Sequence, residues 1–373
     1  MKIKEFHLKD FPLKKIRILF KNNKKFLDES INYFGSLKKL ADFLSVSTQV
    51  IYYWKKLNLF IPLEHIKKIV DKRKLNWNKL EKEVIAYKGS NLSLTITNPK
   101  LPIIESPELF AIIGHLIGDG SVNKNGIPIY TNSNKKLIDN FQKLIKFVFG
   151  NVKGKIYKIN SSNYQFRSSK VISDLIKSFY NINFDSSKSR IPERIKSLPQ
   201  EFSIATIKAF GDDESTVDTN HRITFFSTNK HILSFIRDLL IKKLMFNNVS
   251  QLFKKSEDYF YLTIKAKDIE KYHNIIGFNH SLKMTKLSKI IKIRKNSFRV
   301  RRKENQTKNE ILGLLAHQNL STEDLTFKLG ICRGNINIPL KELENKGLIT
   351  KYNKKGQTII WNKIGGINNG IYL

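Results

Sequence analysis

Apolar residues recur along this chain with two different periods. The stretch from Glu108 to Gly118 is almost continuously apolar and long enough for a helix. From Lys136 to Phe149, Leu137, Phe141, Leu144, Ile145 and Val148 fall at helical spacing, which predicts an amphipathic helix. Ile127–Thr131 reads as a strand. Lys155–Lys158 and Tyr164–Ser168 alternate as a hairpin, and Val171–Tyr180 returns to helical spacing. The same order follows downstream, with a helix at Ile204–Gly211, a strand at Arg222–Phe226 and a helix at His231–Phe246. Strands at Gln251–Phe253 and Tyr259–Ile264 and a helix at Asp268–Ile276 complete it. Each block reads helix, two strands, helix, two strands, helix, so the expected class is α+β.

The two blocks align at one constant offset. Shifted by 95 residues, Asp119 falls on Glu214, Ser121-Val122 on Thr216-Val217 and Asn134-Lys135 on Asn229-Lys230. Tyr164 falls on Tyr259, Phe166 on Tyr261, Ser168 on Thr263 and Lys188 on Lys283. An offset that holds across most of a unit without a gap is the mark of an internal repeat.

The first helix closes with Ile112-Ile113-Gly114-His115-Leu116-Ile117-Gly118-Asp119-Gly120-Ser121. Gly114 and Gly118 lie four apart on one helix face, where small residues allow a second backbone to come close. The counterpart is Ala205-Thr206-Ile207-Lys208-Ala209-Phe210-Gly211-Asp212-Asp213-Glu214-Ser215. Two registers are open. With Glu214 on Asp119, Ala209 meets Gly114. With Asp213 on Asp119, Lys208 would enter the seam at a cost. The offset selects Glu214 and leaves Asp213 as the fallback. Asp213 then falls on Gly118, so the second helix is bulkier near its end.

These blocks resemble the LAGLIDADG (dodecapeptide, DOD-type) homing endonucleases in their single-chain, two-repeat form. The resemblance implies tandem pseudo-symmetric αββαββα repeats whose motif helices pack through Gly114, Gly118 and Ala209. It also implies that Asp119 and Glu214, or Asp213, hold Mg2+ or another divalent cation for phosphodiester hydrolysis. Carboxylates at two adjoining helix C-termini repel each other and oppose the helix dipoles, and an oxygen-ligated cation offsets both effects. The plainer alternative is that Asp119 ends a helix and Glu214 is a solvated charge. Lys188 and Lys283 resemble family lysines near the cleavage centre, where a cation stabilises developing charge. An ordinary solvated lysine is the competing reading for each. His115 is expected to pack in the seam rather than to bind a ligand.

In the family, one face of each sheet meets the major groove of duplex DNA. Gln165 and Arg167 share one strand face, and Arg222 and Thr224 share another; such side chains read base edges. Two flanking modules are also expected. Leu37–Leu44, the turn Ser45-Val46-Ser47 and Thr48–Lys56 resemble a helix-turn-helix, with Gln49, Tyr52, Tyr53 and Lys55 exposed and Ile61-Pro62-Leu63 opening the next helix. Residues 307–363 resemble a winged helix: a helix at Asn309–His317, Ser321 and Asp324 as a cap, and Ile338–Asn345 before Gly347. Strands at Leu348–Tyr352 and Gln357–Trp361 flank a wing at Asn353-Lys354-Lys355-Gly356. Pro339 is expected to interrupt or delay the recognition helix.

The resulting division is 1–100 with the helix-turn-helix near 30–70, repeats at 101–200 and 201–295, a basic linker at 296–306, and 307–373. Charge narrows the partners. The 373 residues hold 67 Lys and Arg against 32 Asp and Glu, a net charge of +35, which points to a polyanion with double-stranded DNA first. No apolar run approaches the roughly 18 residues of a spanning helix, so no membrane partner is expected. One cysteine, Cys332, excludes an internal disulfide and fits a reducing, cytoplasmic setting. A monomer with internal twofold pseudosymmetry is expected. Met1 is no splicing nucleophile and the chain ends Gly370-Ile371-Tyr372-Leu373 without His-Asn, so protein splicing is not expected. Site-specific endonuclease leads, a non-cleaving DNA-binding regulator on the same scaffold follows, and an RNA-splicing maturase comes third.

Overall fold

The computed structural model describes residues 2–89, 93–184, 188–256, 259–297, 302–303, 305–354 and 358–364. It divides into two compact units. One comprises Met1–Glu214, Phe226–Met245 and Leu252–Tyr261; the other comprises Ser215–Phe225, Phe246–Gln251 and Leu262–Leu373.

The first unit opens with β1 (Glu5–Phe6), β2 (Arg17–Phe20), α1 (Asn23–Phe34), α2 (Leu37–Leu44), α3 (Thr48–Lys56), β3 (Ile61–Pro62), α4 (Leu63–Arg73), α5 (Trp77–Glu81), β4 (Val84–Lys88), β5 (Ile96–Thr97) and β6 (Ile103–Ile104). The bounds of α2 and α3 match those read from the sequence, because Ser36 and Ser47 cap them and Ser45 takes a left-handed φ of 60° between them. Leu40, Ala41, Leu44, Ile51 and Trp54 form their buried side. Asn23 ties this bundle to β2: it accepts from the Phe20 amide and donates to the Leu59 carbonyl at 2.7 Å.

Next come α6 (Pro107–Ile117), β7 (Gly120–Val122), β8 (Pro128–Asn132), α7 (Lys135–Phe149), β9 (Asn151–Val152), β10 (Ile156–Lys158), β11 (Tyr164–Arg167), α8 (Lys170–Tyr180) and α9 (Gln200–Glu214). Strands pair in the order β10-β11-β8-β7, and a five-stranded sheet runs β3-β2-β4-β5-β9. Helix α7 presses Phe141 onto Tyr130 of β8 and Phe166 of β11, with ring centroids 4.8 and 6.2 Å apart. That covers one face of the first sheet and leaves the other open. Glu105, with a fully buried carboxylate, accepts two hydrogen bonds from Arg194, at 2.6 and 2.7 Å.

A second sheet has the order β12-β13-β15-β14, with β12 (Ser215–Asp218), β13 (Arg222–Ser227), α10 (Lys230–Asp238), β14 (Phe253–Ser256) and β15 (Tyr259–Ile264). Helix α10 stops short of the expected Phe246 and passes into a π-helical turn at Leu239–Lys243. Strand β14 lies two to three residues later than expected. After α11 (Ile269–Ile275) comes α12 (Ser281–Ser297), so 296–297, the first residues of the expected linker, are still helical. Leu287, Ile290 and Ile293 form its buried stripe.

The C-terminal part holds α13 (Gln306–Leu315), β16 (Leu320–Ser321), α14 (Thr322–Leu329), α15 (Arg333–Asn345), β17 (Ile349–Lys354) and β18 (Thr358–Lys363), with strand order β16-β18-β17. Ser321 and Asp324 form the expected reciprocal cap, at 3.1 and 3.0 Å. Leu315, Leu325, Ile336, Leu340, Leu343 and Trp361 belong to its core. Pro339 corrects the sequence reading, since α15 runs through it from Arg333. The carbonyl that lacks a helical donor across the proline belongs to Asn335 on the exposed side, while Ile336, Leu340 and Leu343 hold the buried face. Of the expected wing, Lys355 and Gly356 lie outside the described residues. No described helix is long and apolar enough to cross a membrane.

Candidate functional site

Helices α6 and α9 pack almost backbone to backbone. A Cβ on Gly114 would lie 2.8 Å from the Thr206 carbonyl oxygen and 2.9 Å from the Ala209 Cβ. Thr206 turns its hydroxyl to the Phe202 carbonyl at 2.9 Å, so a polar side chain crosses the seam satisfied. Lys208 is half-exposed, off the seam. The seam therefore carries Gly114 against Ala209, as the 95-residue offset requires. At its C-terminal end, a Cβ on Gly118 would lie 2.8 Å from Asp213 Oδ2.

Asp213 fills that space with a carboxylate removed from solvent. His115 Nδ1 lies 2.9 Å from its Oδ2, and the Tyr130 hydroxyl donates to its Oδ1 at 2.6 Å. Burial opposes charging of His115, but Asp213, with Asp212 and Asp119 behind it, outweighs burial and raises its pKa. Burial, together with Asp213, drives the Tyr130 hydroxyl far above its ordinary range, so Tyr130 stays a donor. Asp213, the fallback metal ligand, is thus committed inward. Asp212 is also buried.

Asp119 and Glu214 are placed differently. Asp119 is exposed just past the end of α6 and receives a 2.7 Å hydrogen bond from Asn132. Asn132 in turn accepts from the Asn134 amide, and Asn134 caps α7. Glu214 is the half-buried last residue of α9, and after burial its charge is what raises Tyr259. Each acid directly precedes the first strand of a four-stranded sheet. The strand registers agree at the same offset: Gly120, Ser121 and Val122 pair with Tyr130, Ile129 and Pro128, and Ser215, Thr216 and Val217 with Phe225, Thr224 and Ile223. Asn134 and Asn229 cap the following helices in matching fashion.

The offset fails one strand later. In β11, Phe166 is buried under α7 while Gln165 and Arg167 lie on the open face. Gln165 donates to Thr131 at 3.2 Å and accepts from Arg167 at 2.8 Å. In β15, Leu262 is buried, and Tyr259 and Tyr261 share a face with Phe226. The structural match is therefore Phe166 with Leu262, an offset of 96. The sequence pairs Tyr164–Tyr259, Phe166–Tyr261 and Ser168–Thr263 do not hold, because a one-residue slip turns every side chain of a strand to the opposite face. In β13, Arg222 is exposed and Thr224 half-buried, with its hydroxyl 3.2 Å from that of Thr263.

Lys188 is exposed in a turn. The neighbouring Ser189 carbonyl accepts from the side chain of Asn229 at 3.0 Å. Lys283 belongs to the first turn of α12 in the second unit, so the two lysines occupy unlike backbone. On α3, Gln49 and Tyr52 are exposed, whereas Lys55 is ion-paired with Asp28. His115 packs buried in the seam as expected, whereas Tyr130 and Asn132 are site residues without a sequence signal of their role, since Tyr130 and Asp213 are separated by 83 positions. Among the described residues, no group of three or more His, Cys, Asp or Glu is placed to hold a metal ion.

No family model matches the chain. Over 236 residues, 61% of its length, it is 28% identical to an isomerizing glutamine–fructose-6-phosphate aminotransferase of Methanocaldococcus jannaschii, and it spans about a fifth (21%) of that protein. Among solved structures, it is similar to I-DmoI in complex with DNA and Mn, at 22% identity over 46% of this chain and 96% of the other, with a TM-score of 0.34. It is also similar to the homing endonuclease I-WcaI bound to its DNA recognition sequence, at 16% identity over 46% and 80%, with a TM-score of 0.35. Full-length DUF199/WhiA from Thermatoga maritima is similar at 13% identity over 65% and 92%, with a TM-score of 0.35.

Proposed function

We propose that the chain binds duplex DNA and hydrolyses a phosphodiester bond at a specific site, as a LAGLIDADG-type endonuclease with tandem repeats at 101–200 and 201–295. One observation carries the reading. Asp119 and Glu214 each stand between a seam helix and the first strand of a sheet, in the same strand register. Their oxygens are hard donors, which suits magnesium; it takes one or two carboxylates and completes its shell with water and substrate phosphate. Asp119 and Glu214 would hold it. Asp213 is left out because His115 and Tyr130 engage both its oxygens. Such a cation, when bound, stabilises charge on the phosphodiester and makes water more acidic.

The chain's own side chains supply the rest. Asn132 fixes the orientation of the Asp119 carboxylate. Lys188 offers an exposed cation for phosphate charge. Lys283 remains a candidate from the sequence offset alone. Gln165, Arg167, Arg222 and Thr224 would read base edges. Helices α2 and α3 would act as a helix-turn-helix through Gln49 and Tyr52, with Lys55 steadied by Asp28, and 307–373 as a winged helix. The charge of +35 supports a polyanionic partner.

The second reading is a non-cleaving DNA-binding regulator, favoured by the buried Asp213 in a seam position matched to Gly118. One assay separates them. The purified protein is incubated with magnesium and a randomised duplex pool, and bound and cut products are sequenced. Asp119→Asn and Glu214→Gln should abolish cutting and leave binding within about twofold. Tight binding with no cutting of any sequence would sink the nuclease and leave the regulator. Affinity should fall with salt at a log–log slope near −0.9 per phosphate contacted, so salt-independent binding would sink both.

A further inference from the structure

The open faces of the two sheets carry opposite chemistry at matched positions. In the first sheet, Gln165 donates to Thr131 across the strands. The matched pair in the second is Tyr261 and Phe226, with rings 6.5 Å apart. Phe226 also stacks on Tyr259 at 5.7 Å and 14°, and Tyr261 on Phe253 at 5.3 Å and 26°. Lys255 lies over Phe226 and Tyr259, 5.7 and 5.5 Å from their centroids. This aromatic end is open to solvent: Phe253 is 48% exposed and the other three rings are half-buried. Four clustered rings left in water are an interaction surface in search of a partner.

The geometry narrows that partner. Phe226 and Tyr261 each stand between two neighbouring rings, and the Lys255 ammonium lies over Phe226 and Tyr259, so an unpaired base finds little free ring face on which to stack beyond the outer side of Phe253. The ring edges are apolar at Phe226 and Phe253, which have no donor or acceptor, and end in hydroxyls only at Tyr259 and Tyr261. In the major groove of duplex DNA, the apolar feature is the thymine 5-methyl. Lys254 and Lys255 flank the rings on β14 with charge suited to the adjoining phosphates.

We propose that the aromatic end of the second sheet, Phe226, Phe253, Tyr259 and Tyr261, seats thymine methyl groups of an A·T-rich half-site, while the first sheet reads polar base edges through Gln165 and Arg167. This inference rests on the duplex-DNA reading above and makes recognition chemically asymmetric between the two halves of the target.

The test exchanges thymine for deoxyuridine, which removes the methyl alone. A duplex selected by the full chain is substituted one position at a time, and affinity is read by fluorescence anisotropy. Neighbouring thymines in one half should each lose about fourfold, the equivalent of ~0.8 kcal/mol for one buried methyl at 1.4 kcal/mol per tenfold. The other half should not respond. In Phe226→Asn, and in the edge-strand variant Phe253→Asn should the first fail to fold, the methyl effect should vanish while duplex binding persists. Normal duplex binding with no methyl effect at any position overturns this inference alone. Tighter binding of an unpaired thymidine oligomer than of the selected duplex also overturns it, in favour of base stacking. Failure to select any duplex removes the DNA reading with it.

Discussion

Gly114→Ala probes the helix seam directly. The added Cβ would stand 2.8 Å from the Thr206 carbonyl oxygen and 2.9 Å from the Ala209 Cβ. Ordinary contact begins near 3.4 Å, so the seam must open by about 0.6 Å (3.4 − 2.8). Neither obstacle can rotate away, because one is backbone and the other is fixed to it. Overpacking of this kind costs about 1–3 kcal/mol, and a backbone obstacle puts it at the upper end. Alanine's better helix propensity returns about 1 kcal/mol. The net loss is about 2 kcal/mol, or roughly 4–8 °C in melting temperature for a unit of this size. Gly313→Ala is the control: its Cβ would meet nothing within 4 Å on the exposed face of α13, so the same exchange should stabilise. Thermal unfolding followed by circular dichroism measures both. A Gly114→Ala protein that melts at or above the wild type would refute the close approach.

Three further outcomes follow from single contacts. Tyr130→Phe removes a donor from the buried Asp213 and should cost about 1.5–3 kcal/mol in urea unfolding; no loss would mean that the bond is idle. Burial, reinforced by Arg294, holds the His221 pKa below 6.5, against the pull of Asp218. The unfolded chain then takes up a proton that the folded chain refuses, so this contribution is lost as pH falls below about 6.5. His221→Gln should flatten the stability change between pH 7 and 5, and an unchanged slope would contradict the assignment. Pro339→Ala should stabilise α15 by about 1–3 kcal/mol in denaturant titration, since it restores a helical N–H; a loss would show that the proline ring packs favourably.

What was legible in the sequence was local. The limits of α2, α3 and β15 could be read because caps and periodicity mark them within a few residues. Helix α12 was not read from the sequence, because its lysines drown the apolar stripe of Leu287, Ile290 and Ile293. The five-stranded N-terminal sheet was invisible because β3, β5 and β9 are two residues each and pair across long stretches of chain. Of the candidate site, the seam glycine and the two acids could be found from the repeat. The partners of Asp213 could not, since a hydrogen bond across 83 residues leaves no pattern in either neighbourhood.

The one-residue slip between β11 and β15 bears on how such a chain can change. Placing the β11 residues on β15 in the 95-residue frame would turn Gln165 and Arg167 to the buried face and Phe166 to the open one. Leu262 holds the buried side of β15 and Tyr259 and Tyr261 the other, so the two strands are not interchangeable at that spacing.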